Sequence, residues 1–267
     1  MFFARLFLAV IISLAGGFSV FARPPVEASG LAEVFERRGA AGCFALFDPR
    51  SETLRVYNPE RARKRLLPAS TFKIANALIG LELGAVRNVD EVIPYGGTDE
   101  AFDAWERDMS LREGIRISNV PVFHELARRV GIERMGERLQ AFRYGNAEVG
   151  PDLERRFWLI GPLAISALEQ VDFLRRLCEG ELPIRPETAA AVREILAYEA
   201  TAEYALFGKS GWGGPREPET GWWVGWVETD GMRFPFAVNI DAPSMEGTKL
   251  RLPVALDCLK ALGVLPE

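Results

Sequence analysis

The stretch that decides the fold is "LLPASTFKIANALIGLELG", Leu66 to Gly84. From Phe72 to Leu83 apolar residues fall on nearly every side of a helix, the pattern of a helix buried all round rather than along one face. Such a helix has to be wrapped by other elements. Yet its first turn carries Ser70 and Lys73. Three positions apart, they share a face and lie within reach of each other. Burial penalises the charged form of a lysine, and a neutral lysine is a competent base or nucleophile. A serine beside such a base can be activated for acyl transfer. The unpaired N–H groups of a helix start, just after Pro68-Ala69, can stabilise a developing negative charge. Equally, Ser70 can cap the helix while Lys73 snorkels to solvent. On these residues alone the two readings stand level.

Outward from this helix the chain divides into three parts. After a short leading helix, Ala28 to Gly39, the run "GCFALFDPRSETLRVYN" reads as two strands joined by a turn at Asp48-Pro49-Arg50-Ser51. A long middle follows, Ser70 to about Glu199, mostly helical patterns separated by Gly and Pro. Strand signals return in "AEYALFGKSGW", "TGWWVGWVETDG" and "MRFPFAVNID", with a turn at Asp230-Gly231. "LRLPVALDCLKALGVL" is an amphipathic closing helix. The expected fold class is α+β: an antiparallel sheet built from both chain ends, flanked by helices, with an inserted helical subdomain. No internal repeat, low-complexity tract or flexible linker interrupts it.

Residues 1–22 have one arginine, Arg5, then an apolar run from Leu6 to Ile12, and close on Val20-Phe21-Ala22. That is the layout of a secretory signal peptide cut after Ala22. The run is broken by Ser13, Gly16 and Gly17 and is short for a bilayer span. Residues 23–267 are therefore expected to form one exported, periplasmic domain with no stable membrane insertion after cleavage.

With 48% hydrophobic and 26% charged residues the chain can build a sizeable core. A formal net charge of −5 gives no electrostatic case for a nucleic-acid or anionic-lipid partner. The three cysteines, Cys43, Cys178 and Cys258, sit in apolar settings and form neither a disulfide framework nor a zinc pattern. His124 is the single histidine, and its segment has helical apolar spacing at Val122, Phe123, Leu126 and Val130. A histidine-rich metal site is thereby excluded, no metal is expected, and a Ser-His-Asp triad would rest on this one residue. A catalytic base has to come from elsewhere.

Three later motifs bear on Ser70 and Lys73. "RISNVPVF" places Ser118 and Val120 just before a helix marked by Pro121, "RYGNAEVG" gives Tyr144-Gly145-Asn146, and "LFGKSGW" puts Lys209-Ser210-Gly211 at the end of an apolar strand. Singly each is weak. In this order and spacing they resemble the active-site set of the serine β-lactamase and penicillin-binding protein superfamily. The Ser-X-Val and Tyr-Gly-Asn versions resemble class D, the oxacillinases. The segments "PASTFKIANALIGLE", "AWERDMSLREGIRISNVPVF", "FWLIGPLAIS" and "GWWVGWV" extend the resemblance along the mature chain.

The resemblance implies a β-lactam hydrolase acting on small-molecule penicillin-type substrates and conferring resistance. Ser70 is the implied nucleophile. Lys73 is the implied general base, carboxylated on its side-chain nitrogen by carbon dioxide, with no separately bound cofactor. Ser118 relays a proton to the leaving nitrogen, Val120 keeps the lysine pocket apolar, and the Trp158 indole hydrogen-bonds the carbamate. Lys209 and Ser210, joined by Arg251, take the substrate's carboxylate region beside Gly211. The backbone N–H groups of Ser70 and Trp212 form the oxyanion hole, and Tyr144 and Asn146 shape the site. Asn119, and Ser210 in place of Thr, are variations on the family's motifs. A penicillin-binding peptidase or a β-lactam sensor domain shares much of this set, but is acylated without turning over.

Overall fold

The computed structural model describes residues 24–97, 99–153, 156–213 and 219–266. The expected signal segment, residues 1–22, lies outside the described residues. In chain order the elements are β1 (Val26–Glu27), α1 (Ala32–Arg38), β2 (Gly42–Asp48), β3 (Thr53–Tyr57) and α2 (Pro59–Arg63). A 3₁₀ turn, Ala69–Phe72, leads into α3 (Lys73–Glu82). Then come α4 (Leu111–Arg116), α5 (Val120–Val130), α6 (Ile132–Ala141), α7 (Phe157–Ile160), α8 (Ala167–Glu179) and α9 (Pro186–Ile195). The chain closes with β4 (Ala197–Ala200), β5 (Ala205–Gly213), β6 (Thr220–Thr229), β7 (Met232–Asp241) and α10 (Arg251–Ala261).

One seven-stranded sheet runs β1-β3-β2-β7-β6-β5-β4. The strand β2 from the beginning of the chain pairs antiparallel with β7 from its end, so both ends build the sheet, as expected. The two-residue β1 adds one parallel pairing, to β3. Central strands are buried on both faces and therefore read as continuous apolar runs. Their side chains still alternate between two cores. Cys43 and Ala45 of β2, with Trp222, Val224 and Trp226 of β6, face the core that holds α3, α5 and α8. Phe44 and Leu46, with Trp223 and Val227, face the core made by α1 and α10. At the β6–β7 hairpin Thr229 pairs with Met232, and both turn residues, Asp230 (φ +52°) and Gly231 (φ +72°), are left-handed, as a two-residue hairpin turn requires.

The helical part is organised around α3. Every residue from Lys73 to Leu81 is buried, which explains the all-round apolar pattern. Around it, α8 starts with a reciprocal Ser166–Glu169 capping box and stops at left-handed Gly180, and α5 starts with Asn119 accepting a hydrogen bond from the Val122 N–H. Two details differ from the sequence expectation. Ser70 lies in the 3₁₀ turn ahead of the α-helix, and the helical middle ends at Ile195, because Ala197–Ala200 forms an edge strand. All four residues of β4 are exposed, so no apolar alternation marks it. All three cysteines are free: Cys43 and Cys258 are buried and Cys178 is half-buried.

Candidate active site

The 3₁₀ turn makes the central contact. In a 3₁₀ helix residues i and i+3 eclipse each other, and Lys73 Nζ donates to Ser70 Oγ over 2.8 Å. Lys73 is 0% exposed, and its Nζ lies 5.5 Å above the centre of the Phe123 ring on α5. Burial pushes the Lys73 pKa well below its ordinary value, and the nearby cations of Lys209 and Arg156 push it the same way. Snorkelling is thereby ruled out for Lys73, and Ser70 makes no side-chain cap to the helix. Ala69, just before Ser70, and Ser118 are both non-glycine residues at positive φ, +48° and +59°. Such conformations persist where surrounding packing over-determines them.

Strand β5 forms the opposite wall. On its outer edge β4 pairs only as far as Ala197 opposite Phe207, and the Gly208 N–H donates to the Leu196 carbonyl. Since backbone groups alternate along a strand, the N–H groups of Ser210 and Trp212 point off that same edge, beyond the end of β4. Gly211 sits against the 3₁₀ turn: a Cβ there would meet the Pro68 carbonyl oxygen at 3.0 Å and Thr71 Cγ2 at 3.0 Å. Only a residue without a side chain lets β5 come this close to Ser70.

Lys209 lies on the same face of β5 as Phe207 and is 5% exposed. Its Nζ donates to the Ser210 carbonyl over 3.0 Å and approaches Ser210 Oγ at 3.4 Å. Burial, aided by the Arg251 cation, pushes its pKa down to about 7. Arg251, at the start of α10, donates to the Gly211 carbonyl over 2.8 Å and crosses β6 at Gly221, where a Cβ would meet its Cδ at 3.1 Å. Burial lowers its pKa to about 10. The indole of Trp212 donates to the Ala242 carbonyl over 2.9 Å, which leaves its main chain to face the edge.

Val120 is buried at the start of α5. Trp158, on α7, is 0% exposed and stacks on Phe72 at 5.4 Å between ring centres. Its Nε1 is buried and has no hydrogen-bond partner among the described residues. Leaving a buried N–H unpaired costs about 1–3 kcal/mol, so the position suits an acceptor beside Phe72. Tyr144 and Asn146 act at a distance from the reacting serine. Gln170 Nε2 bridges Thr71 Oγ1 (3.0 Å) and the Tyr144 hydroxyl (3.5 Å), behind the 3₁₀ turn. Asn146 donates to the Pro162 carbonyl (2.9 Å) and accepts from the Ala164 N–H (2.9 Å), fixing the segment that follows Trp158.

Two tethers escaped the sequence reading. Arg156, two residues before Trp158, forms an ion pair with Glu100 at 3.1 Å, and the Glu100 side chain is only 6% exposed. Asn119 Nδ2 donates to the Trp105 carbonyl (3.2 Å), while Trp105 Nε1 donates to the Ile117 carbonyl (3.2 Å). The loop carrying Glu100 and Trp105 is thus tied both to the Trp158 segment and to the turn that bears Ser118. Charged residues in "DEAF" and "ERRF" read as a solvated surface, so no sequence signal distinguished this pair. His124, by contrast, is a helix histidine whose Nε2 lies 3.1 Å from the Leu153 carbonyl. Among the described residues no group of three or more His, Cys, Asp or Glu side chains is placed to hold a metal ion.

A profile of the penicillin binding protein transpeptidase domain matches residues 42–260, the span that carries strands β2 to β7 and the Ser70 wall. The fold and site therefore define a penicillin-recognising transpeptidase-type domain. Within that class, β-lactamase OXA-48 of Klebsiella pneumoniae is 37% identical over 232 residues, covering 87% of this chain and 87% of that protein. β-Lactamase OXA-10 of Pseudomonas aeruginosa is 36% identical over 264 residues, 98% of this chain and 99% of that one. Among solved structures, FUS-1 (OXA-85), a class D β-lactamase from Fusobacterium nucleatum subsp. polymorphum, superposes with a TM-score of 0.85 at 40% identity. The match covers 90% of this chain and all of that one. The chain belongs to the class D β-lactamases.

Proposed function

We propose that this protein hydrolyses the β-lactam ring of penicillin-type antibiotics through an acyl-enzyme on Ser70, and so confers resistance to them. The observation that carries the reading is the 2.8 Å contact between Lys73 Nζ and Ser70 Oγ in a site where Lys73 is fully buried. The depressed lysine pKa leaves an amine able to accept the serine proton as Oγ attacks the lactam carbonyl. The oxyanion that develops is received by the N–H groups of Ser70 and Trp212, each worth roughly 10² to 10³ in rate. The ring C–N bond breaks as Ser118 gives its proton to the leaving nitrogen and takes the former Ser70 proton from Lys73, which returns to the neutral amine. In the second half water attacks the ester, its proton goes to Lys73, and Ser70 leaves with a proton restored. Lys209 and Ser210 on strand β5, with Arg251 from the start of α10, hold the ring carboxylate.

A carbamate formed on Lys73 from carbon dioxide would supply an anionic base in place of the amine. The residues fit that group. Amine nitrogen reacts with carbon dioxide in its neutral form, which burial favours here, and the unpaired Trp158 N–H is a donor for an anion held in an apolar pocket. Val120 and Phe123 supply apolar walls. Residues 1–22 are proposed as a cleaved signal peptide, with 23–267 acting as a single periplasmic domain. Among the described residues no helix is long and apolar enough to cross a membrane. Benzylpenicillin hydrolysis by the purified protein tests the reading: Ser70→Ala should remain folded and lose turnover, and hydrolysis that survives in Ser70→Ala would refute it.

A further inference from the structure

Off the outer edge of β5, beyond the end of β4, lies a cavity of about 310 Å³. Its polar lining consists of Lys209 and Ser210 on β5, Arg116 at the end of α4, Tyr198 on β4 and Trp223 on β6. No carboxylate lines it. The other cavities described differ: one of about 390 Å³ is lined by Glu179 and Glu228, and one of about 400 Å³ by Glu125 and Asp152. In a chain of formal charge −5 a lining of donors without acids is a local reversal of sign.

Two further observations point to an anion. Arg116 is exposed and forms no ion pair among the described residues, whereas Arg112 on the same helix is held by both Asp90 and Glu194, at 2.6 and 2.7 Å. Trp223 is 6% exposed, and its Nε1 is buried without a hydrogen-bond partner among the described residues. The edge of Tyr198 packs on the Trp223 ring at 4.8 Å between centres and completes an aromatic wall. A guanidinium with no carboxylate partner suits an oxyanion, which it can grip with two parallel N–H bonds.

We propose that this cavity is an oxyanion subsite that takes a carboxylate or sulfonate carried by the substrate next to its ring carboxylate, with Arg116 as the specificity-determining cation. The proposal rests on the reading above, in which Lys209 and Ser210 hold the ring carboxylate, because the cavity opens from those same two residues. A substituent on the carboxylate-bearing ring is therefore the part of the substrate that reaches Arg116. A neutral substituent gains nothing from the guanidinium.

The test uses two cephalosporins identical except that the arm at the 3-position ends in a sulfonate or in a neutral group. The ratio of their kcat/KM values is measured at low salt for the wild type, Arg116→Gln and Arg116→Lys, and taking the ratio cancels any general loss of activity. The wild type should favour the sulfonate by about threefold or more, as expected for a partly exposed charge pair. The preference should vanish in Arg116→Gln and persist in Arg116→Lys. An equal ratio in wild type and Arg116→Gln overturns the proposal. If neither compound is turned over, the same ratio is read from equilibrium binding to Ser70→Ala, and the hydrolase reading is tested separately by turnover of benzylpenicillin. Inorganic sulfate serves as the remaining probe: inhibition by sulfate that depends on Arg116, with no difference between the two cephalosporins, would make this a site for free anions and overturn the substrate-borne proposal.

Discussion

Gly211 and Pro68 are pressed together: a Cβ at Gly211 would lie 3.0 Å from the Pro68 carbonyl oxygen and 3.2 Å from the Thr71 N–H nitrogen. This contact seats the Ser70 turn on the edge of β5, so the spacing between nucleophile and substrate-binding strand is set by the absence of one methyl group.

Gly211→Ala should therefore act on geometry more than on stability. Overpacking of this kind costs about 1–3 kcal/mol, and displacing reacting groups by even 1 Å can lower rate by about 10²-fold. Thermal unfolding and steady-state kinetics on the same preparation check this. A variant with wild-type kcat/KM would show that the approach of β5 to Pro68 is irrelevant to the chemistry.

Lys209 predicts an alkaline limit. With its pKa near 7 it loses its charge above neutrality, so kcat/KM for a monocarboxylate penicillin should fall as pH rises through about 7. Burial is the main cause and the Arg251 cation the second. Arg251→Ala should consequently weaken binding and also move the alkaline limb to higher pH. Stability follows the opposite sign. Between about 7 and the ordinary lysine value of 10.5 the unfolded chain binds more protons than the folded one, so Lys209 makes the fold more stable as pH rises across that window. An alkaline limb that stays put in Arg251→Ala would count against this coupling.

The Glu100–Arg156 pair predicts a shift on the acid side. Arg156 is one of the cations that keep Lys73 from protonating, third in size after burial and Lys209. Arg156→Gln should move the acid limb of the rate profile to higher pH. Glu100→Gln, which removes the countercharge at 3.1 Å, should move it to lower pH. Identical acid limbs in both variants and the wild type would reduce the pair to a tether.

Trp158→Phe keeps an aromatic ring on Phe72 and deletes a buried donor that has no partner among the described residues. If Lys73 is carboxylated, the variant should lose a carbon-13 carbamate signal from labelled bicarbonate. It should slow deacylation more than acylation and regain part of its rate on added bicarbonate at constant pH. Equal activity in degassed and bicarbonate-supplemented wild-type enzyme, with no carbon-13 signal, would leave Lys73 as a plain amine base.

Much of this was legible because the chemistry is local. Ser70 and Lys73 are separated by one helical turn, and strands such as Gly42–Asp48 announce themselves by runs that only a doubly covered sheet accommodates. The Ala197–Ala200 strand was not legible, since an exposed edge strand is defined by its partner β5 and not by its own side chains. Nor was Arg156 with Glu100: they are 56 positions apart and each looks like ordinary surface charge until the fold brings them together. Ser70 was expected in the first turn of the helix and lies instead in a 3₁₀ turn, an element common at α-helix ends whose i, i+3 spacing is not distinguished by the apolar pattern that follows it.

The proposed hydrolysis requires that Ser70 be acylated and then released. Intact-protein mass spectrometry across a benzylpenicillin time course, followed by peptide mapping, measures both at once. The expected result is a penicilloyl adduct on the peptide containing Ser70 that appears early and is gone when substrate is exhausted, and that never forms in Ser70→Ala. An adduct that persists, or one that maps to Ser118 or Ser210, would contradict it.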